Sequence, residues 1–226
     1  MDAGYLTDEK WDKKLKIKTS GGANHAADGE NFPYEPTPYP VLLRLAKSGL
    51  LTEKNTLLDY GCGKGRVAFL LSRLTGCRVI GIDYNEDLIR AANENLVSSG
   101  MKNIIFLQCK AEDYEIEEAD TFFFFNPFSE TVLKKVMDQV LWSWYENPRL
   151  MRLMFYYPTD EDVAILTATD GLMFSDEIDC SDLFDGGGKR ERILIFETVP
   201  EATMEVTRPL KADTVILADD LIYIEK

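Results

Sequence analysis

The stretch Leu57-Leu58-Asp59-Tyr60-Gly61-Cys62-Gly63-Lys64-Gly65-Arg66-Val67 decides the fold, because an apolar run ends in an acid, a glycine-rich turn follows and a helical pattern starts at once. Alternating glycines let the backbone adopt conformations barred to other residues and let a ligand approach it closely. Such a turn lies at the carboxyl end of a strand, where open α/β sheets bind small molecules. The acid beside the turn disfavours a pyrophosphate and favours a cationic ligand.

The pattern Asp59-x-Gly61-x-Gly63-x-Gly65 resembles the first motif of class I S-adenosylmethionine-dependent methyltransferases. In that family the acid and the glycines hold the amino-acid end of the cofactor. The resemblance therefore implies this role here, with Cys62 inside the turn. A dinucleotide-binding loop reads G-x-G-x-x-G/A, and its last small residue would fall on Arg66. A purely structural turn between strand and helix is the alternative.

A second apolar segment ends in Asp83, 24 residues after Asp59. A carboxylate about 20 residues beyond the glycine turn can accept hydrogen bonds from ribose hydroxyls. Asp83 is therefore the candidate ribose ligand, with Tyr84 also at the cofactor. The alternative is that Asp83 caps the next helix, although Asn85 or Asp87 could cap it instead.

The third predicted strand is followed by Ala111, Glu112 and Asp113. The resemblance implies that this turn contacts the adenine ring, with an acid reaching the exocyclic amine and backbone groups at Ala111 at the other edge. Glu112 and Asp113 both suit the acid's role, and the sequence does not separate them. A solvated acidic loop is the alternative, because three more glutamates follow closely.

The sequence Asn126-Pro127-Phe128-Ser129 follows the fourth predicted strand, where the family places residues near the methyl group and its acceptor. The resemblance makes Asn126 and Phe128 candidate catalytic residues, with Asn126 also at the cofactor. Amino-methylating members carry [D/N]-P-P-[Y/F] there. This chain departs from that motif at its last two positions, which disfavours methylation of adenine or a glutamine amide by that route. A turn with Ser129 opening a helix is the structural alternative.

The N-terminal segment is rich in Gly, Pro and Asn, and the resemblance implies a lid over the cofactor. Its aromatic residues Phe32, Tyr34 and Tyr39 could cover a sulfonium cation or an acceptor ring. Tyr39 is the third candidate catalytic residue. Packing of these rings on the sheet edge is the alternative. His25 is the only histidine, and a histidine in such a loop is more often incidental than a general base.

Strand and helix patterns alternate along the chain, which predicts an α/β fold with a doubly wound, mostly parallel sheet. Strands are predicted over 56–60, 78–83, 103–107, 121–125 and 151–157, and helices over 65–75, 85–99, 129–145 and 160–169. Four consecutive phenylalanines at 122–125 suit a strand buried on both faces. Two further β-rich segments, 172–179 and 190–198, flank a glycine turn. The resemblance implies that they complete a seven-stranded sheet with one reversed strand.

A single domain is expected, with an N-terminal lid over 1–40, a core over 41–198 and a β-rich C-terminal extension over 199–226. Helices are expected over 11–17 in the lid and 41–50 at the start of the core. The extension could lengthen the sheet or mediate self-association into a homodimer.

Composition bounds the class of protein. The chain has 226 residues, 45% of them apolar, and a formal charge of −14, which fits a globular domain and disfavours nucleic acid as a partner. A lysine cluster over 10–18 is expected to be a solvated helix face. The sequence shows no membrane-span run and no secretory layout, so we expect a cytoplasmic protein. Four cysteines without a C-x-x-C pair and one histidine predict no metal site.

The favoured function is methyl transfer from S-adenosylmethionine to a small or polar acceptor. The protein then mainly has to align donor and acceptor, and such positioning can lower a barrier by about 7–11 kcal/mol. Two alternatives remain open. One is a non-catalytic protein that binds S-adenosylmethionine for regulation, and the other is an NAD-dependent oxidoreductase, against which Asp59 and Arg66 count.

Overall fold

The computed structural model describes residues 7–20 and 34–199. In chain order its regular elements are α1 (Asp8–Leu15), α2 (Tyr39–Lys47), β1 (Thr56–Tyr60), α3 (Arg66–Thr75), β2 (Arg78–Asp83), α4 (Glu86–Ser99), β3 (Ile104–Gln108), β4 (Thr121–Phe124), α5 (Glu130–Glu146), β5 (Arg152–Tyr156), α6 (Asp160–Ala168), β6 (Leu172–Asp179) and β7 (Arg192–Thr198). Short 3-10 turns lie at Ala111–Asp113 and Ser181–Leu183. Phe32 and His25 fall outside the described residues, and so does the predicted C-terminal extension beyond Val199.

The strands form one seven-stranded sheet in the order β3-β2-β1-β4-β5-β7-β6. Strands β3, β2, β1, β4 and β5 pair in parallel. Strand β7 runs antiparallel to both β5 and β6. This confirms the predicted mostly parallel sheet and identifies β7 as the reversed strand. The strand order changes direction between β1 and β4, and ligands of open α/β sheets bind at such a switch point.

Apolar layers cover both faces of the sheet, which confirms the doubly wound arrangement. Helices α1 to α4 contribute to one layer, and α5 and α6 contribute to the other. The phenylalanine run serves both layers, because successive side chains of a strand point to opposite faces. Phe123 joins the first layer, whereas Phe122 and Phe124 join the second. Strand β4 ends at Phe124, one residue earlier than predicted.

The first two helices begin earlier than the sequence pattern predicts. Helix α1 starts at Asp8 rather than at residue 11, because acids in its first turn favour an N-terminus there, and it ends where Lys16 adopts a left-handed conformation. Helix α2 starts at Tyr39 rather than at residue 41, since Pro40 in the first turn needs no N–H partner. The lysines on α1 are exposed, as predicted. Within 7–20 and 34–199, no helix is long and apolar enough to cross a membrane.

Candidate functional site

A cavity of about 730 Å³ opens at the carboxyl ends of the parallel strands. Its size suits a cofactor with part of a second ligand. The end of β1 and the turn after β4 meet at its centre, through Gly61 and Pro127. On one side, which we call the β2 half, it is lined by Ile82, Asp83, Tyr84, Asn85, Leu88, Cys109 and Ala111. On the other side, which we call the β5 half, it is lined by Glu35, Phe125, Tyr156, Tyr157, Phe184 and Glu191.

The glycine turn after β1 is packed so tightly that side chains would not fit. Gly61 has a φ of +71°, and a Cβ there would lie 2.7 Å from the Cβ of Pro127. Gly63 has a φ of +54°, and a Cβ there would overlap the ring of Tyr34. Gly65 also adopts a positive φ, directly before α3. Gly61 therefore presents bare backbone to the cavity, whereas Gly63 is covered by Tyr34.

Asp59 is a buried acid on β1 directly before this turn, and only 2% of it is exposed. Its Oδ2 atom has no hydrogen-bond partner among the described residues. Burial, and secondly the charge of Asp83, raise the pKa of Asp59 well above its ordinary value. A buried polar atom without a partner is costly, so it indicates a place that a ligand completes. Asp59 lines a small space next to Gly61, with Cys62 and Arg66 beside it.

Asp83 is held at the end of β2 by backbone N–H groups. Its Oδ2 accepts from the N–H of Gly63 at 2.9 Å, and its Oδ1 accepts from the N–H of Asn85 at 2.9 Å. Burial raises its pKa, although these two hydrogen bonds oppose that rise. Each carboxylate oxygen keeps capacity for a second bond. The cap of α4 is Asn85, whose side chain accepts from the N–H groups of Asp87 and Leu88.

Of the three predicted adenine-binding residues, one lines the cavity and two do not. Ala111 lines the cavity, in the β2 half. The side chain of Glu112 forms an ion pair with Lys135 of α5 at 3.8 Å. Asp113 is exposed, and neither acid lines the cavity. The role of these two acids therefore stays a prediction, whereas Tyr84 and Ala111 lie where a nucleoside could reach them.

The turn after β4 brings the candidate active-site residues to the centre of the cavity. Asn126 has a φ of +40° and lines the cavity together with Pro127 and Phe128. The Phe128 ring packs edge-on against Tyr60, with ring centroids 6.1 Å apart. Ser129 occupies the cap position of α5, but its side chain makes no capping bond. Strained backbone of this kind concentrates at functional sites.

Tyr34 lies beside the glycine turn, and the role of its segment as a lid stays a prediction. Its ring packs over Gly63, its hydroxyl donates to the carbonyl of Thr19 at 2.9 Å, and it lines the cavity. Tyr39 does not lie there, so the expectation of a catalytic Tyr39 is wrong for this structure. Its side chain is fully buried, and its hydroxyl donates to Oδ1 of Asp12 at 2.6 Å. The buried Asp12 carboxylate needs donors, and Tyr39 supplies one.

Arg66 carries a structural role that the sequence pattern did not indicate. Only 2% of it is exposed. Its guanidinium donates to Oγ1 of Thr19 at 2.8 Å and to Oδ2 of Asp8 at 2.6 Å, and it lies 4.5 Å from the ring centroid of Tyr39. These contacts fasten segment 7–20 to the start of α3. Asp12 completes the fastening by accepting from both the N–H and the hydroxyl of Thr19.

The β5 half contains residues that sequence reasoning missed. Tyr156 donates from its hydroxyl to Oε2 of Glu191 at 2.7 Å, and its ring lies 4.8 Å from that of Phe125. Tyr157 follows with a φ of +56°, so two non-glycine residues with left-handed backbone, Asn126 and Tyr157, lie just after the ends of the neighbouring strands β4 and β5. The available signal was the Tyr-Tyr pair at the end of the fifth predicted strand.

Comparison with known proteins relates this arrangement to one group of enzymes. Residues 51–155 match a family model described as a methyltransferase domain. Over 72 residues the chain is 35% identical to a ribosomal protein L11 methyltransferase of Aeromonas hydrophila, a match that covers 32% of this chain and 25% of that protein. Over 72 residues it is 29% identical to a protein-lysine N-methyltransferase of Saccharolobus islandicus, covering 31% of this chain and 45% of that protein. The chain thus spans less than half the length of these curated relatives.

The fold has a counterpart among solved structures. An RNA methyltransferase from Salinibacter ruber, crystallised in complex with S-adenosyl-L-homocysteine, superposes with a TM-score of 0.52 at 21% identity. The alignment covers 76% of this chain and 98% of the other. The motif, the strand order and these matches agree: residues 51–155 match a methyltransferase domain, and the chain has the fold of the class I, Rossmann-like S-adenosylmethionine-dependent methyltransferases.

Proposed function

We propose that the protein is an enzyme that transfers a methyl group from S-adenosylmethionine to an acceptor held in the same cavity. The observation that carries the proposal is the unpartnered Oδ2 of Asp59, buried beside the bare backbone of Gly61. A buried acid in that position suits a cationic amino-acid group and opposes a phosphate.

The described residues fit this cofactor along the β2 half of the cavity and the small space next to Gly61. Asp59 and the glycine turn would hold its amino-acid end, and Asp83 would accept from the ribose hydroxyls. Ala111 would meet the adenine ring. When bound, the cofactor supplies a methyl group activated by positively charged sulfur.

The protein's main contribution is alignment of donor and acceptor. Asn126 and Phe128 lie between the two halves of the cavity, where they would position the acceptor against the methyl group. Positioning of this kind can supply about 7–11 kcal/mol of barrier reduction. The acceptor is small or polar, or it is a polar side chain of a macromolecule; relatives named for ribosomal protein and protein lysine support the second form.

Calorimetry with S-adenosylhomocysteine and with NADH tests the cofactor assignment. We expect binding of the first and none of the second, and we expect Asp59→Ala to abolish that binding while Asp170→Ala, an exposed acid outside the cavity, leaves it unchanged. Binding of the dinucleotide instead would overturn the proposal.

A methyl-label transfer screen against metabolites, proteins and RNA tests catalysis. Label transferred by the native chain supports the enzyme. Tight cofactor binding with no transfer to any acceptor class would instead identify a regulatory protein that binds S-adenosylmethionine.

A further inference from the structure

The charged side chains that line the cavity have one sign. The charged residues that line it are Glu35, Asp83 and Glu191, and its described lining includes no lysine, arginine or histidine. Asp83 belongs to the β2 half and is engaged by backbone N–H groups. The β5 half therefore contains two acids, Glu35 and Glu191, and their negative charges attract a cation.

Glu191 is oriented by a neighbour and keeps capacity for a ligand. The Tyr156 hydroxyl donates to its Oε2 at 2.7 Å. An ionised carboxylate can accept about four hydrogen bonds, so this bond leaves most of them available. The adjacent cation, Arg190, is committed elsewhere: its guanidinium lies 4.3 Å from the ring centroid of Tyr157 and donates to the carbonyls of Tyr157 and Pro158.

Aromatic rings form the remaining walls of the β5 half. Phe125, Tyr157 and Phe184 are half-buried there, and the ring of Phe125 packs against that of Tyr156. Aromatic faces attract organic cations, most strongly where water is excluded. Carboxylates among aromatic rings match the two parts of an alkylammonium ion, which has a charged head and an apolar stem.

We propose that the β5 half binds a protonated alkylamine as the methyl acceptor, with Glu35 and Glu191 accepting hydrogen bonds from its ammonium group. The assignment of this amine as the acceptor rests on the proposed function. An ammonium must give up one proton before its nitrogen has a lone pair, and a neighbouring carboxylate can accept that proton. A free alkylamine and a lysine side chain share this chemistry.

Calorimetry on the full chain saturated with S-adenosylhomocysteine tests the proposal with four probes. The two amines are n-butylamine and Nα-acetyl-lysine methylamide, and the matched controls are n-butanol and butyrate. We expect the amines to bind at least about ten-fold more tightly than n-butanol, and butyrate not to bind, since charge and ring contacts both favour the cation. Stronger binding of the lysine probe would identify a side-chain acceptor, and stronger binding of n-butylamine a free amine; either result supports the site.

Glutamine variants test whether the two acids of the β5 half bind the amine. Glu35→Gln, an exposed position that does not threaten folding, and Glu191→Gln should each weaken amine binding by about ten-fold. Glu94→Gln, at an exposed position on α4 outside the cavity, should leave it unchanged.

Two results would overturn the proposal, and they differ in what else fails. If S-adenosylhomocysteine binds but the amines bind no better than n-butanol, or if both glutamine variants bind amines as the native chain does, the amine site is wrong while the proposed function stands. If S-adenosylhomocysteine itself does not bind, the proposed function fails and the acceptor assignment fails with it.

Discussion

Replacement of Asp59 by Asn tests whether the buried acid is protonated when no ligand is present. Because burial raises the pKa of Asp59 in the folded chain, the folded state keeps a proton that the unfolded state has already lost above about pH 3.9. The protonated Asp59 side chain makes its full contribution to stability below its unfolded-state pKa, and this contribution is lost as pH rises towards its folded-state pKa. Over that window the free energy of unfolding should fall by about 1.4 kcal/mol per pH unit relative to the Asn variant.

Urea unfolding of the ligand-free protein measures this difference between about pH 5 and about pH 8. The native chain should lose stability relative to Asp59→Asn as pH rises, until the folded pKa is passed and the difference becomes constant. Asp170→Asn, an exposed control, should keep a constant difference throughout. A difference between the native chain and Asp59→Asn that does not change over this range would refute the reasoning.

Three further substitutions test the cavity. Gly63→Ala should cost more than the ~1–2 kcal/mol of a left-handed backbone, because its Cβ overlaps the Tyr34 ring, whereas Gly100→Ala, with a φ of +66° and open space around it, should cost the backbone part alone in chemical unfolding. Asp83→Ala should weaken S-adenosylhomocysteine binding by about 1–3 kcal/mol in calorimetry, and an unchanged dissociation constant would reject its ribose role. Asn126→Ala should lower turnover more than cofactor affinity when kcat and Kd are measured together; the opposite pattern would remove it from the acceptor site.

The sequence correctly predicts those strands whose ends are marked by a local change from apolar to polar residues. Strands β1 and β2 have their predicted bounds because each apolar run ends at a polar turn. The same locality finds Asp83 and the glycine turn, since the ligand-binding edge of a parallel sheet follows directly from where its strands end.

The missed features depend on contacts between distant parts of the chain. Tyr39 donates a hydrogen bond to Asp12, 27 residues earlier, and so lies away from the cavity. No local sequence pattern predicts a buried carboxylate that needs a donor. Glu191 lines the cavity because the reversed strand β7 pairs with β5 and carries the residue before it back to this edge, whereas Glu35 comes to the same cavity from the segment before α2. Neither their spacing nor their residue type distinguishes them from the many other acids in the sequence.

The fastening of segment 7–20 by Arg66 has a consequence for how ligands exchange. The same tyrosine, Tyr34, that covers Gly63 is bonded to Thr19, and Thr19 is bonded to Arg66 and Asp12. Uncovering the glycine turn by moving that tyrosine away from Thr19 disturbs the buried polar network that stabilises the N-terminal region. Under the proposed function, we therefore expect a mutation that strengthens this network to make the protein more resistant to heat and its exchange of cofactor slower.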